Sequence, residues 1–185
     1  MPPSISPSDF LGRPTTYLPL EVNCPALDPL RKFLFKHNDL EYCHQTTLSP
    51  LSLAVLENQI DVVHFLNRFQ ELDGQKDRDL ALFLANCQQH EEMATLLERS
   101  GANPGRESSP NGLHGAAWQG LISRIRYYIK NGASPDVTDG SSATAVLYAI
   151  LGLQDEQAAW ETIELLFQLE ASPWTTFGSQ GWSYA

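Results

Sequence analysis

The residues best suited to chemistry in this 185-residue chain are its three cysteines, five histidines and paired carboxylates. Cys43 and His44 are adjacent, so their side chains point apart and lack the CxxC or HxxxH spacing typical of a zinc site. The pairs Glu91-Glu92 and Asp155-Glu156 are typical of a solvated surface. The sequence has no Gly-rich phosphate loop and no GxSxG nucleophile motif. We therefore expect a protein that is not an enzyme, with no catalytic residue, metal or cofactor.

Composition narrows the class of partner. The chain has 12 Lys and Arg against 22 Asp and Glu, a net charge of −10. Nucleic-acid binding depends on basic residues that neutralise phosphates, so this balance predicts no direct nucleic-acid binding and favours a basic protein surface as partner. No apolar run approaches the length of a membrane span, and we expect no membrane association. Because the sequence contains no catalytic constellation, we also expect no small-molecule substrate.

Cysteine usage and the N-terminus indicate the compartment. Three cysteines without paired spacing do not form a disulfide framework, which indicates a reducing environment. They are Cys24, Cys43 and Cys87. The N-terminus MPPSISPSDF lacks the basic start and apolar centre of a signal peptide. We therefore expect an intracellular protein, cytoplasmic or nuclear.

The elements that would position any site are clearest in residues 111–138, NGLHGAAWQGLISRIRYYIKNGASPDVT. Asn111 can cap a first helix, because its side chain accepts from backbone N–H groups that no helical carbonyl reaches. Gly120 then interrupts the chain. A second run of apolar residues follows at helical spacing: Leu121, Ile125, Tyr128 and Ile129. Gly132 stands where a helix needs a left-handed terminator. The stretch therefore predicts two helices joined by a turn.

Two landmarks of this stretch recur along the chain. The first-helix alanines, separated by 31, 31 and 33 residues, are Ala54, Ala85, Ala116 and Ala149. The helix-terminator positions, separated by 32, 31, 31 and 38 residues, are Asn38, Gln70, Gly101, Gly132 and Glu170. Two independent landmarks with nearly one period indicate a stacked array, in which no unit can bury its apolar face alone.

The pattern LHxAAxxG followed by an apolar helix and NGAS resembles an ankyrin repeat, whose signature includes TPLHxA and whose period is about 33 residues. Ser49, Pro50 and Leu51 are similar to the Thr-Pro-Leu of that signature. The resemblance implies an all-α fold, an ankyrin-repeat solenoid of about four to five stacked helix-turn-helix units with short turn fingers. In that family the motif histidine hydrogen-bonds between repeats, so the resemblance implies a structural role for His114.

The resemblance covers residues 17–185. Residues 1–16 are rich in Pro and Ser and are predicted to form a disordered tail. The predicted units span about 17–44, 45–74, 75–105, 106–138 and 139–173. Residues 174–185 are either an incomplete final repeat or a C-terminal cap. Four aromatic residues favour a fold-back cap over the last helix pair: Trp174, Phe177, Trp182 and Tyr184.

Three local details of these units are also predicted. Asp79 is expected to cap the first helix of the third unit. In the fifth unit the segment GLQDEQAAW is an insertion of about five residues before the second helix, relative to the family spacing. Glu170 replaces the expected terminal Gly, so this helix end should be strained or closed differently.

Stacked arrays of this type leave a concave groove built from first helices and turn tips. The resemblance implies that residues just after the first-helix alanines face this groove: Leu56, Glu57, Cys87, Gln88, Trp118, Gln119 and Leu151. The turn-tip candidates are Lys76, Asp79, Glu107 and Pro110. Trp118 is either an exposed interface anchor or a residue packed against the neighbouring repeat.

The leading hypothesis is a non-enzymatic protein–protein interaction module, an adaptor, scaffold or regulator that binds one partner protein in this groove. One alternative is that the chain is a fragment of a larger ankyrin-repeat protein whose function lies elsewhere. The other is a small metal-binding or enzymatic protein that uses Cys43, His44 and nearby histidines. The sequence does not name the partner.

Overall fold

The computed structural model describes residues 49–67 and 74–175. In these ranges all regular secondary structure is α-helical. The eight helices of these segments are α1 Pro50–Leu56, α2 Ile60–Asn67, α3 Gln75–Cys87, α4 Glu91–Arg99, α5 Gly112–Trp118, α6 Ile122–Lys130, α7 Ala145–Gly152 and α8 Glu156–Gln168. The prediction of an all-α fold is therefore confirmed. The predicted tail 1–16, the first unit 17–44 and residues 176–185 lie outside the described segments.

The predicted caps begin two of the first helices. The Ser49 side chain accepts from the Ser52 backbone N–H, and Pro50 opens α1, where a missing N–H costs nothing. Asn111 accepts from the N–H groups of Leu113 and His114 at the start of α5. Its own N–H donates to the His114 ring, so the two residues form a reciprocal cap.

One turn closes three successive first helices in the same way. The carbonyls of Ala54, Ala85 and Ala116 each accept a hydrogen bond from the N–H five residues later, at 2.8, 2.9 and 2.8 Å. The residue before each donor has a positive φ: Asn58 at 53°, Gln89 at 57° and Gly120 at 65°. The 31-residue spacing of the alanines is therefore also the spacing of one repeated, left-handed turn.

The second helices α4, α6 and α8 end in a matching closure. The left-handed residues are Gly101, Gly132 and Glu170, with φ of 93°, 99° and 71°. The N–H of the residue after each of them donates to the carbonyl five residues earlier. These hydrogen bonds run from Ala102 to Leu97, from Ala133 to Tyr128 and from Ala171 to Leu166, each at 3.0 Å. These are three of the five predicted terminator positions; the other two, Asn38 and Gln70, lie outside the described segments. Glu170 closes its helix as the glycines do, but with a Cβ, which the left-handed conformation disfavours.

The first helices form a row in which α1 packs on α3, α3 on α5 and α5 on α7. Each also packs on the second helix that follows it, while α2 contacts α4 and α6 contacts α8. The repeated alanines lie buried in the row. A Cβ added at Gly115 would collide with the Phe83 carbonyl oxygen, and one at Gly152 with the Trp118 carbonyl oxygen. Neighbouring first helices therefore approach to backbone contact.

Two predicted helix starts are wrong. α3 begins at Gln75 after Gly74, one turn earlier than predicted, so Asp79 lies inside the helix and does not cap it. α8 begins at Glu156, with the Asp155 side chain accepting from the Gln157 N–H. Most of the predicted insertion GLQDEQAAW is thus helical, because it lengthens α8 at its N-terminus to 13 residues.

Candidate functional site

The groove positions predicted after the first-helix alanines include three equivalent helix ends. Glu57, Gln88 and Gln119 are the C-cap residues of α1, α3 and α5. Glu57 is exposed, whereas Gln88 and Gln119 are half-buried. Because α1, α3 and α5 pack side by side, these residues mark one edge of the row of first helices, which we call the C-cap row.

Amide side chains join Gln119 of the C-cap row to the end of α3 in the preceding unit. The Gln119 side chain donates from Nε2 to the Cys87 carbonyl at 2.6 Å. Gln89 donates from Nε2 to Gln119 Oε1 at 3.0 Å. Sequence reasoning did not select Gln89, although its position matches that of Gly120 in the next turn. The C-cap row is a surface of amides and one carboxylate, which suits hydrogen bonding to a polar or basic partner.

Trp118 and Cys87 do not face solvent. Trp118 is only 4% exposed, and its ring contacts Tyr148 of α7 edge-on, with centroids 6.3 Å apart. Of its two predicted roles, packing against the neighbouring helix is the one observed, because α7 lies against α5 at Gly152. Cys87 is buried as well, at the end of α3. The prediction that both residues face a groove is wrong.

Asp79 is buried too, and its predicted place at a turn tip is wrong. Its Oδ1 accepts from the Asn103 N–H at 2.6 Å and from Gln75 Nε2 at 2.8 Å. Its Oδ2 lies 2.5 Å from Arg106 Nε in an ion pair. These contacts connect α3 to the loop between α4 and α5, so the carboxylate stabilises the fold and does not face a partner.

The remaining candidates lie nearer the surface. Lys76 and Glu107 are exposed, and Pro110 is half-buried before α5. Leu56 and Leu151 are half-buried and pack against the core. Trp174, predicted to take part in a fold-back cap, is 72% exposed, while the other three aromatics of that prediction lie outside the described segments.

His114 is fully buried between α5 and the loop before α7. Its Nδ1 accepts from the Asn111 N–H at 3.3 Å, and its Nε2 lies 3.0 Å from the Val137 carbonyl oxygen. The ring centroid is 4.6 Å from that of Tyr148. Burial lowers the pKa of His114 to about 4, because a charged ring at this buried position would lack the water that stabilises its charge. These contacts agree with the structural role predicted for this histidine.

Two tyrosine hydroxyls anchor further buried networks that sequence reasoning missed. Tyr128 donates to Glu98 Oε1 at 2.6 Å and accepts from Asn86 Nδ2 at 3.0 Å. Tyr148 donates to Asp139 Oδ2 at 2.9 Å. Burial raises the pKa of both hydroxyls, so both stay protonated at neutral pH. The Tyr128 network joins two successive helix pairs, and the Tyr148 network joins a helix pair to the loop before it.

Within residues 49–67 and 74–175, no three His, Cys, Asp or Glu side chains come together as they would around a metal ion. Cys43 and His44, the predicted alternative metal ligands, lie outside these ranges. None of the helices in the same ranges is long and apolar enough to cross a membrane. No protein-family model matches the sequence, and no curated protein matches it.

Proposed function

We propose that this protein is a non-enzymatic protein–protein interaction module of the ankyrin-repeat type. It would act as an adaptor, scaffold or regulator in the cytoplasm or nucleus. The partner protein binds along the row of first helices, from the C-cap row at their C-terminal ends to the exposed residue Glu107 in the loop before α5. The observation that carries the proposal is the repetition of one left-handed turn at Asn58, Gln89 and Gly120, which brings Glu57, Gln88 and Gln119 to equivalent positions.

Two further features support this proposal. Regular stacking of helix pairs produces an extended surface rather than a closed pocket, and such surfaces suit segments of other proteins. The exposed groups include Glu57 and Gln89 at the C-terminal ends of the first helices and Glu107 in the loop before α5, and the whole chain carries a charge of −10. Amides and carboxylates on an acidic chain favour a partner segment with basic side chains and accessible backbone groups.

Charge-reversed variants test the proposal. Glu57→Lys and Glu107→Lys change exposed residues of the candidate surface, and Glu92→Lys makes the same charge change at an exposed residue of α4. All three should melt close to the wild type, since exposed substitutions usually alter stability by about 0.5 kcal/mol or less.

The readout is quantitative affinity capture from cell extract with the tagged full-length chain as bait. Proteins retained by the wild type and by Glu92→Lys should be lost from Glu57→Lys and Glu107→Lys. Equal retention by all four baits would refute the proposed surface. Retention by none, with every bait folded, would refute binding to a protein in that extract.

A further inference from the structure

α8 carries a second apolar face that its own fold covers only in part, through the half-buried Ile163. Its inward side packs through Leu165 and Leu166, which are buried. Its outward side carries Trp160, Ile163 and Phe167 at i, i+3 and i+7, so that they form one stripe along the helix. Trp160 is 65% exposed and Phe167 38% exposed. A contiguous exposed apolar stripe that includes a tryptophan and a phenylalanine is typical of an interaction surface.

The outward stripe of α8 forms a shallow groove along that one helix, which we call the α8 groove. The groove is lined by Trp160, Ile163, Glu164, Phe167 and Gln168. Its edge is polar: Gln168 Nε2 lies 3.4 Å from Glu164 Oε1, and Gln157 donates to Glu161 Oε1 at 2.7 Å. These hydrogen bonds hold two carboxylates along one side of the apolar floor.

The charged residues of α8 are all acidic. Residues 131–185 contain seven Asp and Glu residues and no Lys, Arg or His. Three of the seven, Glu156, Glu161 and Glu164, are exposed on α8 itself. At helical spacing Glu156 lies at the N-terminal end of the stripe, while Glu164 and Glu161 follow along one flank. An occupant that covers the apolar floor therefore approaches a row of carboxylates.

This charge pattern discriminates among occupants. A second copy docked α8 against α8 would bring six exposed carboxylates together, which like-charge repulsion opposes. The chain's own residues 176–185, TFGSQGWSYA, carry aromatic groups but no charge, and would leave the carboxylates without a partner. A segment with apolar anchors flanked by Lys or Arg meets both requirements, because it buries the floor and pairs with the flank.

We infer that the α8 groove is a docking site for a basic amphipathic helix of another protein. Apolar side chains of that helix contact Trp160, Ile163 and Phe167, and its Lys or Arg residues pair with Glu164 and Glu161. The helix-in-groove mode supplies such anchors at i, i+3 or i+4 and i+7, which is the spacing of the stripe that receives them. This site is separate from the C-cap row, and the inference stands independently of the function proposed for that row.

The test uses the full-length chain and a labelled synthetic helical peptide with leucine on one face and lysine on the other. Binding is followed by fluorescence anisotropy. A peptide with glutamate in place of every lysine, and one of the same composition without an apolar face, are the peptide controls. We expect binding of the first peptide alone, weakening as salt is raised because ion pairs contribute.

Matched variants localise the binding. Trp160→Ala should weaken it at least about tenfold, the size of an interface anchor. Tyr127→Ala removes an exposed aromatic from α6 and should leave the affinity unchanged. Glu164→Lys should weaken binding, whereas Glu92→Lys, the same change on α4, should not. Trp160 and Glu164 are exposed, so their variants should fold normally, and circular dichroism verifies this.

Four results would overturn the inference. Equal binding of the lysine peptide to wild type and Trp160→Ala would show that the groove is not the site. Equal binding of the glutamate peptide would show that charge does not select the occupant. Sedimentation in which the wild type dimerises and Trp160→Ala does not would assign the groove to a second copy. At least tenfold tighter peptide binding after deletion of residues 176–185 would assign it to that segment of the chain.

Discussion

Acidification should destabilise this protein through His114. The ring is fully buried, and its two nitrogens are already engaged by the Asn111 N–H and the Val137 carbonyl. A protonated ring would turn an N–H of its own toward the Asn111 N–H. Burial lowers the pKa of His114 to about 4 from its ordinary 6.5. Between these two values the unfolded chain binds a proton that the folded chain does not.

The sign and size of the effect follow from this difference in proton binding. The pKa is lower in the folded state, so the contribution is complete above pH 6.5 and is lost as pH falls toward 4. The free energy of unfolding falls with pH at a limiting slope of about 1.4 kcal/mol per unit inside this window. Integration from pH 7 to pH 5 gives a loss of about 2 kcal/mol, a large part of the stability of a small domain.

The assay is urea unfolding followed by circular dichroism at pH 7, 6 and 5, with His114→Gln as the control. The variant should be less stable at pH 7, but its stability should fall by about 2 kcal/mol less between pH 7 and 5. Carboxylates titrate in both proteins and cancel in the comparison. If His114→Gln does not fold, proton NMR of the native protein replaces it. Equal pH slopes, or a His114 ring that titrates near pH 6.5 in the folded protein, would refute the reasoning.

Three further predictions concern the packing of the helix pairs, and urea unfolding measures each. Glu170→Gly should stabilise the protein by about 0.5–1 kcal/mol, and Gly132→Ala should destabilise it by about 1 kcal/mol. Both positions have a left-handed backbone, which glycine adopts more easily than other residues. If both variants changed the free energy of unfolding in the same direction, backbone strain would be excluded as the cause. Gly115→Ala should cost about 1–3 kcal/mol by forcing α3 and α5 apart. Gly74→Ala, with nothing near the added Cβ, should cost less, because it loses only the preference of the N-cap of α3 for glycine over alanine. Trp118→Ala should cost about 3–5 kcal/mol because the ring is buried, and a melting temperature like that of wild type would contradict its placement.

Local signals determined several of the helix boundaries. A cap such as Ser49 or Asn111 acts within three residues of itself, and the left-handed closures at Gly101 and Gly132 involve one helix end and the next two residues. Such signals depend on the types of adjacent residues, so a single sequence contains them. The recurrence of the alanines also predicted equivalent buried positions, because a stacked array places the same contact at every period.

Tertiary structure decided the features that depend on a neighbouring element. Asp79 is a good helix cap by residue type, but it pairs with Arg106, 27 residues later, and lies within α3. Trp118 occupies a position where the resemblance implied exposure, but α7 covers it because Gly152 admits the ring at close range. The amides at Gln89 and Gln119 meet only because successive turns stack.

The two faces of α8 show the same limit most clearly. Helical spacing places Leu165 and Leu166 on one side and Trp160, Ile163 and Phe167 on the other. Both sides are apolar, so the sequence by itself determines that α8 has two faces able to be buried. Packing of α8 against α6 and α7 decides that the first face is in the core and that Trp160 and Phe167 of the second are exposed. The reason is physical. Burying any apolar side chain is favourable, so the sequence shows which side chains could be buried, but only the positions of the other helices determine which ones are buried.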